Sequence, residues 1–211
     1  MSELETGHRP RRLIGVVGTG TEVGKTWVTS HLALSLRSRG LRIAARKPVQ
    51  SYDPPATGTD AEQLAAATGE AVEQVCPRHR WYAVAMAPPM AADVLQRERI
   101  LLADLMREMT WPAGIDIGFV ETVGGVRAPL SHDADSVDLI RALSVDEVLL
   151  VADAGLGTLN AVRLAIECLQ PLRTTVFLNR YDPDNRLHRL NRDWLLERDR
   201  IAAITQVDEW R

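Results

Sequence analysis

A short apolar run, Leu13–Val17, passes directly into Gly18-Thr19-Gly20-Thr21-Glu22-Val23-Gly24-Lys25-Thr26. A stretch with helical apolar spacing, Trp27–Arg37, follows at once. This strand–loop–helix succession constrains the fold more than any other feature of the chain. Glycines let backbone N–H groups close around phosphate oxygens, and the start of the helix adds the positive end of its dipole. In such a loop Lys25 reaches the β- and γ-phosphates of a nucleotide, and the Thr26 hydroxyl can hold Mg²⁺. The usual spacing, G-x-x-x-x-G-K-[ST], is met except at its first position. Thr19 stands there, with Gly18 one residue earlier.

The same alternation continues. Leu41–Ala45 reads as a second strand that delivers Arg46 and Lys47 at its carboxyl end, where Pro48 prevents a helix. Ser51–Thr59 reads as an ordered surface loop, and Asp60 as the entry to a helix ending near Thr68 with Gly69 as its stop. Helical stretches are expected over Met90–Gln96 and Ile100–Met109. Further strands are expected at Ile115–Val120, ending in Glu121, at Val148–Ala152, at Thr174–Leu178, ending in Asn179, and at Ile201–Ile204. A turn at Gly155–Gly157 and a helix over Leu159–Leu169 lie between the second and third of these.

Short apolar runs alternating with helices predict an α/β fold, a mostly parallel sheet flanked by helices. Ligands of such sheets gather at the carboxyl ends of the strands. That rule selects the Gly18–Thr26 loop, Lys47, Glu121, the Gly155–Gly157 turn and Asn179. A divalent cation on the phosphates needs hard oxygen ligands. Asp60 and Glu121 are the candidates, with Gly124-Gly125 after Glu121 allowing close approach to phosphate. Asp60 has a competing role as the N-cap of its helix.

No Pro/Gly/Ser-rich linker divides the 211 residues, so a single domain spanning 1–211 is expected, with residues 1–11 as a flexible N-terminus. The net charge of −3 argues against a dedicated nucleic-acid binder. The two cysteines, Cys76 and Cys168, have no partners at metal-ligand spacing. The first twelve residues lack the apolar core of a secretory signal, and no run is long enough to span a membrane, so a cytoplasmic protein is expected.

The loop string resembles that of dethiobiotin synthetases, G-T-[DN]-T-[DE]-V-G-K-T, in which the displaced glycine is habitual. The resemblance continues in order: Lys47-Pro48-Val49-Gln50-Ser51 is similar to K-P-V-x-S, and Thr59-Asp60-Ala61 to S/T-D-A. Ala87–Ala92 is similar to A-P-x-x-A-A, Glu121–Gly125 to E-G-A-G-G, and Leu156–Asn160 to L-G-x-I-N. The resemblance implies a P-loop NTPase-like fold and an ATP-dependent reaction. In it 7,8-diaminononanoate takes up CO₂, the carbamate is phosphorylated, and a ureido ring closes. It implies Lys47, Lys25 and Thr21 as catalytic groups and Thr26, Asp60 and Glu121 around Mg²⁺. Glu22, Val23, Gly24, Lys25, Thr26, Trp27, Asp60, Glu121 and Gly124 would contact nucleotide, with Asn179 reading adenine. Thr21, Glu22 and Ser51 would line the diamine. It also implies a homodimer in which Leu156 and Asn160 cover the partner's diamine site, with no nucleic acid or membrane as partner.

Four departures accompany the resemblance. Gly20 replaces Asp or Asn, Tyr52-Asp53 replaces small residues, and Thr122-Val123 replaces Gly-Ala. The last places two β-branched side chains where backbone is expected to approach phosphate. Ile204–Val207 lacks the proline expected near the nucleotide base. Three other readings compete. An amidoligase acting on a carboxylate would need a glutaminase domain for which 211 residues leave no room. A partitioning or cell-division ATPase of the ParA/MinD kind would place a signature Lys where Gly20 stands. A degenerate P-loop homologue would bind nucleotide without turnover.

Overall fold

The computed structural model describes residues 8–55 and 58–210. In chain order the elements are β1 (Arg12–Gly18), α1 (Lys25–Ser38), β2 (Ile43–Arg46), β3 (Gln50–Ser51), α2 (Asp60–Thr68), α3 (Val72–Val75), β4 (Trp81–Tyr82) and α4 (Pro88–Val94). They continue with α5 (Leu102–Glu108), β5 (Ile117–Glu121), α6 (Ser136–Ala142), β6 (Glu147–Asp153), α7 (Thr158–Leu169), β7 (Thr174–Asn179), α8 (Arg186–Asp193) and β8 (Ala203–Ile204).

Six strands form one sheet in the order β2-β5-β1-β6-β7-β8, and every pairing in it is parallel. Its strands alternate between two buried faces. On β6, Val148, Leu150 and Ala152 join one core, which α5, α6 and α7 cover through Leu105, Val137, Ile140, Val162 and Leu169. Leu149 and Val151 join the other, which α1 and α2 cover through Val28, Leu32, Ala61 and Leu64. Both faces are therefore packed by helices, which is what near-continuous apolar strands require. Among the described residues no helix is long and apolar enough to cross a membrane.

Strand order reverses around β1. Its carboxyl end lies between those of β5 and β6, with Val16 opposite Glu121 and Gly18 opposite Val151. This brings the Gly18–Thr26 loop, Glu121 and Gly124 to one edge of the sheet, with Lys47 arriving from β2 beyond β5.

The structure corrects several expectations. Helix α1 starts at Lys25, two residues before the apolar spacing begins, because Gly24 at φ 93 turns the chain into it. Ser51 does not open the loop but closes a two-residue strand, Gln50-Ser51, paired with Trp81-Tyr82. Thr59, not Asp60, caps α2: Thr59 and Glu62 form a reciprocal capping box, with Asp60 as the first helical residue. Residues 1–7 lie outside the described residues, but Arg9–Arg11 are held in place. Arg9 pairs with Asp146 at 3.0 Å, and the Arg11 N–H donates to the Ile115 carbonyl at 3.0 Å. Helices α6 and α8 carry no assignment in the sequence reading.

Candidate active site

A cleft of about 730 Å³ opens at the carboxyl edge of the sheet. It is lined by Thr21, Glu22, Gly24, Lys25 and Thr26 of the phosphate loop with Lys47 and Asp60, and by Ser51-Tyr52-Asp53, Ala85–Pro88, Val123-Gly124 and Ala128-Pro129. The β3–β4 pair positions the Ser51–Asp53 part: the Tyr52 N–H donates to the Tyr82 carbonyl at 3.0 Å, and the Ser51 hydroxyl to the Met86 carbonyl at 2.6 Å. A smaller cavity of about 390 Å³ lies beside it, lined by Gly24, Trp27, Phe177, Asn179, Arg180, Tyr181 and Thr205. Gly24 lines both cavities.

The charged groups interlock. Glu121 is wholly buried at the end of β5. Its Oε1 accepts from the Thr26 hydroxyl at 2.7 Å and from Lys47 Nζ at 2.8 Å, and its Oε2 from the Thr29 hydroxyl at 3.0 Å. Lys47 Nζ also pairs with Asp60 at 2.7 Å. Burial alone would push the Lys47 ammonium down, but Asp60 and Glu121 outweigh it and hold its pKa above the ordinary value. The Lys47 charge holds the Asp60 carboxyl below its usual range, against the opposing effect of burial. Lys25 Nζ donates to the carbonyls of Gly20 at 3.1 Å and Gly124 at 2.8 Å. Burial first, and then repulsion from Lys47, push its pKa down from 10.5 to about 8.

Thr26, Asp60 and Glu121 supply a hydroxyl and two carboxylates at one place. Among the described residues no group of three or more His, Cys, Asp or Glu could hold a metal alone. That donor set suits Mg²⁺, which keeps several waters and binds through one or two carboxylates together with substrate phosphates. A hard-oxygen site completed by a nucleotide is what the residues fit.

A family model described as an AAA domain matches residues 12–208. The ATP-dependent dethiobiotin synthetase BioD of Haloferax mediterranei is 40% identical over 185 residues, 83% of this chain and 75% of that protein. The Caulobacter vibrioides protein of the same name is 40% identical over 162 residues, 74% of this chain and 72% of its own length. The chain belongs to the dethiobiotin synthetase family. Among solved structures, the signal recognition particle receptor FtsY from Elizabethkingia anophelis superposes with a TM-score of 0.58 at 16% identity, covering 99% of this chain and 64% of that one. A putative plasmid partition protein from Borrelia burgdorferi bound to AMPPNP gives 0.55 at 14% identity, covering 94% of this chain and 88% of that one. At such identities these two show the P-loop fold alone.

Against the synthetase pattern, the structure gathers Thr21, Glu22, Gly24, Lys25, Thr26, Lys47, Ser51, Asp60 and Gly124 around the cleft. Glu121 stands behind it, in contact with Thr26 and Lys47. Trp27 and Asn179 line the smaller cavity instead. The Asn179 amide donates to the Val23 carbonyl at 2.9 Å, and a Cβ on Gly24 would lie 2.1 Å from that amide nitrogen. Only glycine fits there. Leu156 and Asn160 line neither cavity; Leu156 is 92% exposed on the turn before α7.

The Thr122-Val123 departure is milder than its chemistry suggests. Thr122 is fully buried and its hydroxyl donates back to the Val16 carbonyl at 3.2 Å, so only Val123 reaches the cleft. Two residues escaped the sequence reading. Thr29 lies one turn beyond Thr26 on the same face of α1, a spacing that could have revealed it. Arg180 follows Asn179 at a strand end. It donates to the Glu22 carbonyl at 2.8 Å and pairs with Asp153 at 3.1 Å, tying the phosphate loop to the ends of β6 and β7.

Proposed function

We infer that the protein is an ATP-dependent dethiobiotin synthetase of biotin biosynthesis, converting 7,8-diaminononanoate, CO₂ and ATP into the ureido product. One observation carries this reading: Lys25, Lys47, Thr26, Asp60 and Glu121 converge beside Ser51 and Thr21 in a chain 40% identical to curated synthetases. CO₂ adds to one amine to give a carbamate, a poor electrophile. Transfer of the γ-phosphoryl group to it makes a mixed anhydride. The second amine attacks the carbonyl carbon, phosphate leaves, and the ring closes.

The chain's residues fit this sequence. The base of ATP would enter the Asn179 cavity, with Trp27 at its rim, and the phosphates would lie along Glu22–Thr26. Lys25 offers positive charge to the β- and γ-phosphates, and Lys47 meets carbamate and γ-phosphate together as charge moves between them. Thr21 and Ser51 would hold the diamine beside β3. Thr26, Asp60 and Glu121 would hold Mg²⁺, which neutralises phosphate charge when bound. The test is nucleotide turnover: ADP release should require both 7,8-diaminononanoate and bicarbonate. Release that ignores the diamine, or none in its presence, overturns the reading.

The depressed pKa of Lys25 gives a pH-dependent expectation. With its pKa pushed down to about 8, the Lys25 ammonium titrates within an accessible pH range. Phosphate oxygens favour the charged form, so ATP binding above that pH should take up a proton. Below it, where Lys25 is already charged, uptake should fade. Calorimetry in buffers of different ionisation enthalpy measures it; an ATP-binding enthalpy above pH 8 that is the same in every buffer overturns it.

A homodimer is the assembly this function fits. Leu156 is an exposed apolar side chain on a turn that α8 braces, the Asn191 amide donating to the Ala154 and Gly155 carbonyls at 3.0 Å. A partner's cleft would cover it. Sedimentation should give twice the chain mass at assay concentrations, and Leu156→Asp should shift it towards monomer. A monomeric wild type overturns this.

A further inference from the structure

Three carboxylate residues line the cleft: Glu22, Asp53 and Asp60. Asp60 is paired with Lys47, and Glu22 belongs to the phosphate loop that Arg180 ties down. Asp53 is different. It lines the cleft from the segment after β3, exposed, and among the described residues no cation pairs with it. A surface carboxylate without a partner is ordinary, but this one lines a cavity that Lys25 and Lys47 line as well.

Its neighbour adds a second feature. Tyr52 also lines the cleft, its backbone held by the Tyr82 carbonyl and its ring edge-on to Trp81 with centroids 6.1 Å apart. An aromatic side chain fixed in this way, next to a carboxylate, presents two groups that attract the same ligand chemistry, an alkylammonium. The Asp53 carboxylate repels phosphate and carboxylate, so this part of the lining has the opposite preference to the phosphate loop.

Resting on the function proposed above, we propose that Asp53, with Tyr52 beside it, is a specificity-determining residue for the diamine. Aliphatic amines are protonated near neutral pH. The amine that takes up CO₂ must lose its proton first; the other can stay an ammonium while the substrate binds and gives its proton to solvent before it attacks the mixed anhydride. Asp53 attracts the amine end of 7,8-diaminononanoate and repels its distant carboxylate, so the substrate enters amines first. Lys47 then meets the carbamate that forms on the reacting amine. Residues as small as those usual in the family at these two positions would supply neither the charge nor the ring.

The experiment compares the wild type with Asp53→Asn and Asp53→Glu, by steady-state kinetics and by calorimetric titration of 7,8-diaminononanoate onto the ADP-bound enzyme. Asp53→Asn should raise both KM and Kd for the diamine roughly two- to fivefold, the range of a solvent-exposed ion pair. The kcat and the KM for ATP should stay within about twofold, and Asp53→Glu should recover most of the loss. The difference should shrink in high salt, as screening requires. An unchanged or lowered diamine Kd in Asp53→Asn overturns the proposal, as does a loss confined to kcat. A wild type that binds no diamine overturns instead the functional reading on which it rests.

Discussion

Lys47→Ala is expected to leave ATP bound and to stop turnover, whereas Lys25→Ala should lose both. The two ammonium groups sit in different surroundings. Lys25 is held at the mouth of the phosphate loop by the Gly20 and Gly124 carbonyls, in reach of phosphates in the ground state. Lys47 lies deeper, clamped between Asp60 and Glu121, where charge would shift from the γ-phosphate towards the carbamate. Interactions that strengthen only in the transition state raise the rate without tightening substrate. A fall in kcat of about a thousandfold, roughly 4 kcal/mol of barrier, is expected for Lys47→Ala. Its Kd for ATP should change less than about fivefold, whereas Lys25→Ala should weaken ATP by more than about a hundredfold. Lys47→Ala also leaves Glu121 buried without its counter-charge, which costs roughly 3 kcal/mol or more of stability. Lys47→Gln, which keeps a donor for the Glu121 carboxylate, should be better folded yet as slow. Equal loss of ATP affinity in both alanine variants would sink the division of roles.

The placement of these groups was legible in the sequence because they lie where β-runs end. Lys47 follows β2, Glu121 closes β5, Asn179 closes β7, and the phosphate loop leaves β1. Apolar runs of four to seven residues mark strands well, and the strand-end rule does the rest. The lining after β3 was not legible. Two-residue strands such as Gln50-Ser51 have no periodicity to read, and their pairing with Trp81-Tyr82 is set by chain packing some 31 positions away. Helix α8, with Arg186, Arg189 and Arg192 among its eight residues, has too little apolar content to announce itself. Thr122 was misjudged for a different reason. Side chains alternate across a strand, so the neighbour of an inward-reaching Glu121 turns the other way, and here it finds the Val16 carbonyl.

Asp60→Asn should raise the Mg²⁺ concentration for half-maximal rate by about tenfold while leaving the fold nearly as stable as the wild type. The competing role for Asp60, capping α2, is taken by Thr59, which exchanges hydrogen bonds with Glu62. Asp60 is therefore free to turn its carboxylate into the cleft, where its side chain is 42% exposed and paired with Lys47. Replacement by the isosteric amide removes a hard anionic ligand and one of the two charges facing Lys47, but creates no cavity. Thr59→Ala makes the opposite prediction: a loss of about 1 kcal/mol in denaturant unfolding, with the Mg²⁺ midpoint unmoved. Glu121→Gln should combine both effects. Its carboxylate accepts from Thr26, Thr29 and Lys47 in the interior, so an amide there must aim a donor at groups that themselves donate. Its Mg²⁺ dependence should be compared with that of Asp60→Asn below the lower of their melting temperatures. ATP binding measured without metal should be little changed in Asp60→Asn, because Lys25 and the loop backbone remain. An unmoved Mg²⁺ midpoint in Asp60→Asn, with the rate lowered all the same, would assign Asp60 to holding Lys47 and not to the metal.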